Sequence, residues 1–312
     1  MPKNLKQYAE VPERLTAGHR LCPGCGEPTA ARQVLMATDK PVLVANATGC
    51  FEVSTTIMPF TAWAVPWLHV AFENAAAVAS GMEAMYVSLK AQGKLPAEAD
   101  YRFVAFAGDG GTYDIGFQAL SGAAERGHQF LYVCLNNEAY MNTGVQRSSA
   151  SPFGAHTTTS PSGLKSSGKK SFQKDLTAIM AAHEIPYVAQ SISGRWRDLT
   201  AKAEKAFECG GPAFINILTP CPLGWICDPS ESVGLAQMAA DCCIWPLYEV
   251  ENGVWKLTYN PKDKKLPVDE YLKTQGRFRH LFKGPEGEAT RQKMQEWVDH
   301  KWALLKQKCG VE

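Results

Sequence analysis

Gly108-Asp109-Gly110 directly follows the apolar run YRFVAFA (101–107), and Asn136-Asn137 directly follows a second run, QFLYVCL (129–135). This pairing suits one kind of chemistry. Glycines let the backbone come close to a phosphate. A helix opening near residues 111–115 would offer free N–H groups and the positive end of its dipole. Asp109 supplies one hard oxygen and an Asn side chain a second, for a Mg²⁺ ion that keeps other oxygen ligands. A Gly-Asp-Gly turn alone would be a weak signal. The strand context on both sides makes it a candidate phosphate and Mg²⁺ site.

A second set of residues could bind a softer metal. Cys22 and Cys25 form a C-P-G-C pair, Cys50 ends the run PVLVANATGC, and Cys221 lies in Thr-Pro-Cys-Pro after the run AFINIL. Four thiolates from strand-end loops can meet at one edge of a sheet, where they could bind Zn²⁺ or a [4Fe–4S] cluster. Both centres want four thiolates near a tetrahedron, so the spacing leaves the choice open. Cys227 competes with Cys221 for the fourth place. Cys134 falls inside a strand and reads as core, Cys242-Cys243 as packing residues in a helix, and Cys209 and Cys309 have no suggestive spacing.

The elements that must position these residues alternate. Strands are predicted at 41–48, 101–107, 129–135, 186–190 and 213–218, and helices at 72–93, 115–126, 175–183 and 196–207. That rhythm predicts an α/β fold with a doubly wound, mostly parallel sheet covered on both faces. Ligands in such sheets bind beyond the carboxyl ends of the strands. Residues 139–172 have no period and are rich in Ser, Thr and Gly, as a functional lid or partner-bound loop is. From Trp245 the pattern changes to a hairpin, YEVENGVWKLTY, turning at Asn252-Gly253, followed by a charged helix over 288–307. The expected organisation is a cofactor-binding domain over 1–244 and a C-terminal extension over 245–312 that packs on the core or on a partner subunit.

Composition narrows the class. Of 312 residues, 45% are apolar and 20% charged, enough to bury a core and too apolar for a disordered segment. The net charge of +1 gives no electrostatic case for nucleic acid or an acidic membrane surface. No apolar run is long enough to span a bilayer. The charged start, MPKNLKQYAEVPERL, has no signal core, which points to the cytoplasm. There, ten cysteines suggest metal or redox chemistry more than disulfides.

The Gly-Asp-Gly and Asn-Asn pairs, with 25 residues between them, resemble the thiamine diphosphate motif. The resemblance implies that Asp109, Asn137 and the backbone carbonyl of Ala139 hold a Mg²⁺ bridging the diphosphate, with Gly108 and Gly110 at the cofactor. The wider sequence is similar to the β subunit of multisubunit 2-oxoacid:ferredoxin oxidoreductases, of the pyruvate synthase or oxalate oxidoreductase type. The matching stretches are GHRLCPGCGE (18–27), NATGCFEV (46–53), HVAFENAAAVASGMEA (69–84), GDGGTYDIG (108–116), LNNEAYMNTGVQRSSASPFGA (135–155), TTTSPSG (157–163), LTPCPLGW (218–225) and QGRFRHL (275–281). They cover nearly the whole chain.

This resemblance implies that Cys22, Cys25, Cys50 and Cys221 bind a [4Fe–4S] cluster, and that 139–172 is a cofactor-site and interface loop. It implies thiamine-dependent oxidative decarboxylation of a small 2-oxoacid, pyruvate first, with oxalate and others as alternatives. Electrons would pass through the cluster to ferredoxin, and coenzyme A would typically take the acyl group. Asn142 would face thiazolium and substrate, where the plain alternative is a turn-capping Asn. Glu27 would lie near the cofactor, where the alternative is a first-turn carboxylate favoured by the helix dipole. Gly49 and Cys50 would put backbone at the cofactor, and Thr143 the diphosphate side. His19 reads as a satisfied loop histidine, and Trp63, Trp67 and Trp225 as core or interface aromatics. The Glu that family members need at the pyrimidine ring comes from an α subunit, so the chain would act only with α, γ and δ-type partners, separate or fused. Two other readings remain: a non-redox thiamine decarboxylase with a zinc site, and a scaffold or electron-transfer subunit with a degenerate thiamine site.

Overall fold

The computed structural model describes residues 4–163 and 165–311. The first three residues of the charged start and residue 164 of the long loop lie outside it. The strands are β1 (Val42–Ala47), β2 (Trp67–Val70), β3 (Arg102–Gly108), β4 (Leu131–Asn136), the two-residue pieces β5 (Ser162–Gly163) and β6 (Ser166–Ser167), β7 (Tyr187–Ile192), β8 (Ala213–Leu218), β9 (Tyr248–Glu251) and β10 (Val254–Leu257). The helices are α1 (Leu5–Ala9), α2 (Gly26–Leu35), α3 (Cys50–Thr55), α4 (Ala75–Ala91), α5 (Phe117–Glu125), α6 (Leu176–Ala181), α7 (Trp196–Glu208), α8 (Pro222–Trp225), α9 (Ser232–Asp241), α10 (Val268–Leu272) and α11 (Gly284–Lys308).

Eight strands form one sheet in the order β10-β9-β7-β8-β4-β3-β1-β2. The pairs from β7 to β2 are all parallel, and β9 joins β7 and β10 antiparallel. Every residue of β4, β7 and β8 is buried, as strands covered on both faces must be. Successive residues feed opposite cores. Val104, Phe106, Val133 and Ile215 pack with α2 and α7, while Phe103, Ala105, Tyr132 and Phe214 pack with α4, α5, α6 and the C-terminal helices. Burying side chains of this size contributes about 1.5–3 kcal/mol each. The doubly wound sheet is thus as the alternation of elements predicts.

The chain order reverses between β1 and β3. β1 leads outward to β2 at one edge, whereas β3 leads to β4 on the other side. This reversal opens a crevice beyond the carboxyl ends of β1, β3 and β4, the place where such sheets take ligands.

Some details differ from the sequence expectations. The helix expected at 115–126 begins earlier and differently, as a π-helical turn over Gly110–Ile115 that leads into α5. π-turns are rare and concentrate at functional sites. Cys242 and Cys243 are buried but not helical, because α9 ends at Asp241 and Cys243 takes a left-handed φ of 62°. The hairpin turns at Asn252 (φ 49°) and Gly253 (φ 80°), the pair that a tight two-residue turn needs. Beyond it, Val268, Tyr271, Val298 and Trp302 join the apolar cluster of α4–α6. No helix among the described residues is long and apolar enough to cross a membrane.

Candidate functional site

Asp109 follows β3 and is fully buried. Its Oδ1 accepts the Asn137 backbone N–H at 3.3 Å, and its Oδ2 accepts the Ser148 hydroxyl. Burial pushes its pKa up to about 7, and the Ser148 bond pulls the other way. The two asparagines after β4 diverge. The Asn136 amide donates to the Tyr113 hydroxyl at 3.0 Å. The Asn137 amide donates instead to Glu27 Oε1 at 2.9 Å, leaving Asn137 Oδ1 buried with no partner.

Glu27, in the first turn of α2, is also buried, and its Oε2 has no partner. Burial raises its pKa to about 7, offset in part by the Asn137 amide. An unsatisfied buried acceptor costs about 1–3 kcal/mol. Asn137 Oδ1 is thus an unpartnered oxygen beside the Asp109 carboxylate, and with the Ala139 carbonyl these predicted ligands are all oxygen, a donor set that fits Mg²⁺.

A narrow cleft of about 40 Å³ runs from Gly49 and Cys50 past Gly108 to Asn137, Asn142 and Thr143. The two motif glycines prove unequal. A Cβ at Gly108 would meet nothing closer than 3.9 Å, so backbone approach from the cleft is open there. A Cβ at Gly110 would strike the Tyr140 ring at 2.5 Å. Tyr140 is stacked on Phe72 with centroids 5.5 Å apart, so this packing requires a glycine at 110.

The four predicted cysteines converge. Cys25 caps α2, and the Gly26 N–H donates to the Pro220 carbonyl at 3.1 Å, which presses the C-P-G-C turn against the end of β8. Gly24 has φ 75°, and a Cβ there would lie 2.3 Å from the Pro229 carbonyl oxygen, so the turn requires glycine. Cys221 caps α8, its Sγ accepting the Gly224 N–H at 3.4 Å. Cys50 opens α3.

Burial chiefly raises each of Cys25, Cys50 and Cys221, the last two to about 12 and about 11. Glu27 raises all three further. So do neighbouring thiols: Cys221 and Cys50 act on Cys25, Cys221 and Cys22 on Cys50, and Cys22 on Cys221. These couplings place the thiols in one neighbourhood. They are not drawn into one coordination shell: no group of three or more His, Cys, Asp or Glu among the described residues stands at metal-holding distance. Cys227, half-buried beside α8, shows no electrostatic coupling to Cys22, Cys25 or Cys50, whereas Cys221 couples to Cys22.

Ala139 follows Glu138, whose left-handed φ of 69° shapes the turn. Two contacts brace this turn, and neither was assigned from the sequence. The Trp225 indole donates to the Asn137 carbonyl at 2.9 Å. Arg277 pairs with Glu138, both nearly fully buried, and stacks over Trp225 at 4.1 Å. The signal was present, since both residues lie in quoted motifs, LTPCPLGW and QGRFRHL. Breaking a buried pair costs about 3–5 kcal/mol. Arg277→Ala is therefore expected to lower Tm by about 10 °C in a thermal melt, and Arg277→Lys to recover part of it.

Ser148, likewise unassigned, comes from QRSSAS. The long loop is pinned rather than free, because Lys169, buried, donates to the carbonyls of Ser149 and Ser151. Asn142 is exposed and lines the cleft beside Cys50. The Thr143 hydroxyl donates to Gln146 Oε1, an ordinary loop contact. His19 departs from expectation: its Nδ1 is buried without a partner. Trp225 is core, Trp63 donates to Thr55 at 2.9 Å, and the Trp67 N–H is buried without a partner.

Residues 47–217 match the family model described as thiamine pyrophosphate enzyme, C-terminal TPP binding domain. The fold and the site thus define a thiamine pyrophosphate enzyme domain. The chain is 48% identical to pyruvate synthase subunit PorB of Thermotoga maritima, over 98% of this chain and 96% of that one. It is 41% identical to ketoisovalerate oxidoreductase subunit VorB of Pyrococcus furiosus, over 100% and 99%. The protein belongs to this PorB/VorB family of 2-oxoacid:ferredoxin oxidoreductase subunits. A solved 2-oxoglutarate:ferredoxin oxidoreductase from Magnetococcus marinus shares the fold, with TM-score 0.55 and 21% identity over 76% of this chain and 81% of that one.

Proposed function

We propose that this chain is the thiamine-binding subunit of a complex that oxidatively decarboxylates pyruvate and reduces ferredoxin. One observation carries the reading. Glu27 Oε1 accepts the Asn137 amide at 2.9 Å, and Glu27 sits two residues after Cys25 in the first turn of α2, so the oxygen-lined and sulfur-lined halves of the site meet at one carboxylate. Asp109, the Asn137 side chain and the Ala139 carbonyl would hold Mg²⁺. Cys22, Cys25, Cys50 and Cys221 would hold a [4Fe–4S] cluster. Bound thiamine diphosphate supplies a carbon nucleophile and electron sink, and the cluster an outlet for single electrons.

The chain's own residues bind and orient. By accepting from Asn137 Nδ2, Glu27 fixes the amide so that its oxygen is the free end. Gly49, Gly108 and Thr143 border the cofactor cleft, and Asn142, at its mouth, orients substrate. Residues 1–244 form the cofactor domain and 245–312 its bracing extension. The pyrimidine-facing Glu comes from an α-type subunit, with γ- and δ-type subunits carrying electrons onward, all in the cytoplasm. Coenzyme A accepts the acyl group.

The test is anaerobic dye reduction by the purified complex, with a panel of 2-oxoacids, with and without coenzyme A. Pyruvate with coenzyme A is expected to give the highest kcat/KM, by about tenfold or more, with about four irons per chain. Coenzyme A-independent oxidation of oxalate would overturn the substrate, and zinc without iron the redox role.

A further inference from the structure

A second cavity lies between β7, the β9–β10 hairpin, α6 and α11. None of the residues assigned above to thiamine, Mg²⁺ or the cluster lines it. It runs from exposed Leu304 and Lys308 on α11 inward to buried Tyr113 and Trp245, with a cavity volume of about 190 Å³.

Its walls are flat and aromatic. Trp255 stacks against Tyr248, with centroids 5.5 Å apart and planes at 16°. Trp297, also in the lining, stacks on Phe172, with centroids 4.8 Å apart and planes at 5°. The charge around it is one-sided. Lys174, Lys301 and Lys308 line the cavity against a single acid, Asp175. Lys301 pairs with Asp175. Lys174 donates to the Tyr113 carbonyl. Lys308 has no carboxylate within 4.0 Å among the described residues, and its ammonium lies over the Trp255 ring at 4.3 Å. Aromatic faces with one uncommitted cation at the mouth select a flat, apolar body carrying one negative group.

We propose that this cavity is a binding site for a planar aromatic anion, with the ring against the aromatic lining and the anionic group at Lys308. The proposal is independent of the thiamine site. The probe is 8-anilinonaphthalene-1-sulfonate, titrated by fluorescence into the assembled complex, with its uncharged parent N-phenyl-1-naphthylamine as comparison.

One saturable sulfonate site per chain is expected, bound at least tenfold tighter than the parent. Leu304→Trp, which fills the mouth from an exposed position, should remove it. Lys308→Glu should weaken it at least tenfold, and Lys308→Arg should keep it. The absence of a saturable site would overturn the proposal. So would unchanged binding in Leu304→Trp or Lys308→Glu, or equal affinity for the uncharged parent.

Discussion

Cys50→Ala in the assembled, anaerobically purified complex is expected to lose most of the iron and acid-labile sulfide of this subunit, and with it the reduction of ferredoxin. Cys50 begins α3, where alanine is a good helix former, so the backbone has no reason to change. What goes is one of four gathered thiols. A cubane held by three protein ligands exchanges or falls apart, and turnover then lacks its electron outlet. The expected fall in 2-oxoacid-dependent dye reduction is at least about 100-fold, or about 2.7 kcal/mol in the effective barrier. Cys227→Ala is the control. Its thiol shows no electrostatic coupling to Cys22, Cys25 or Cys50, and its loss should leave iron content unchanged. If Cys227→Ala loses the iron and Cys50→Ala keeps it, the ligand set is wrong.

Asp109→Asn should remove thiamine diphosphate without unfolding the chain. The amide keeps the shape of the carboxylate and an oxygen for the Asn137 N–H. It gives up the negative charge at the one fully buried acid of the motif. Exchanging a charged ligand for a neutral one costs a divalent ion about 2–4 kcal/mol, so retention should fall roughly 30- to 1,000-fold. Thiamine and magnesium contents after gel filtration measure this directly, with circular dichroism to verify the fold. Wild-type thiamine content in this variant would instead support a scaffold whose thiamine site is degenerate.

The sheet was legible because its central strands are short apolar runs ending in glycine, cysteine or asparagine, and local composition alone defines such runs. Cys50, Cys221 and Asp109 were legible for the same reason, since each sits just beyond a strand, whereas Cys22 and Cys25 were legible from their own C-P-G-C spacing ahead of α2. Less visible was anything set by long-range packing. The Arg277–Glu138 pair joins residues 139 positions apart, and no local pattern announces it. The π-turn at Gly110–Ile115 escaped because π and α turns share the same residue preferences. The packing demand on Gly110 was not visible because Tyr140, which fills the space beside it, arrives from a different loop.

The tie between residue 277 and the turn at residue 138 bears on recombination. A crossover placed between these positions, joining segments from different relatives, would bury an acid without its guanidinium counterpart unless both parents carry the same pair. The last stretch of the chain and the asparagine turn are then one unit of inheritance, separated in the gene and inseparable in the fold.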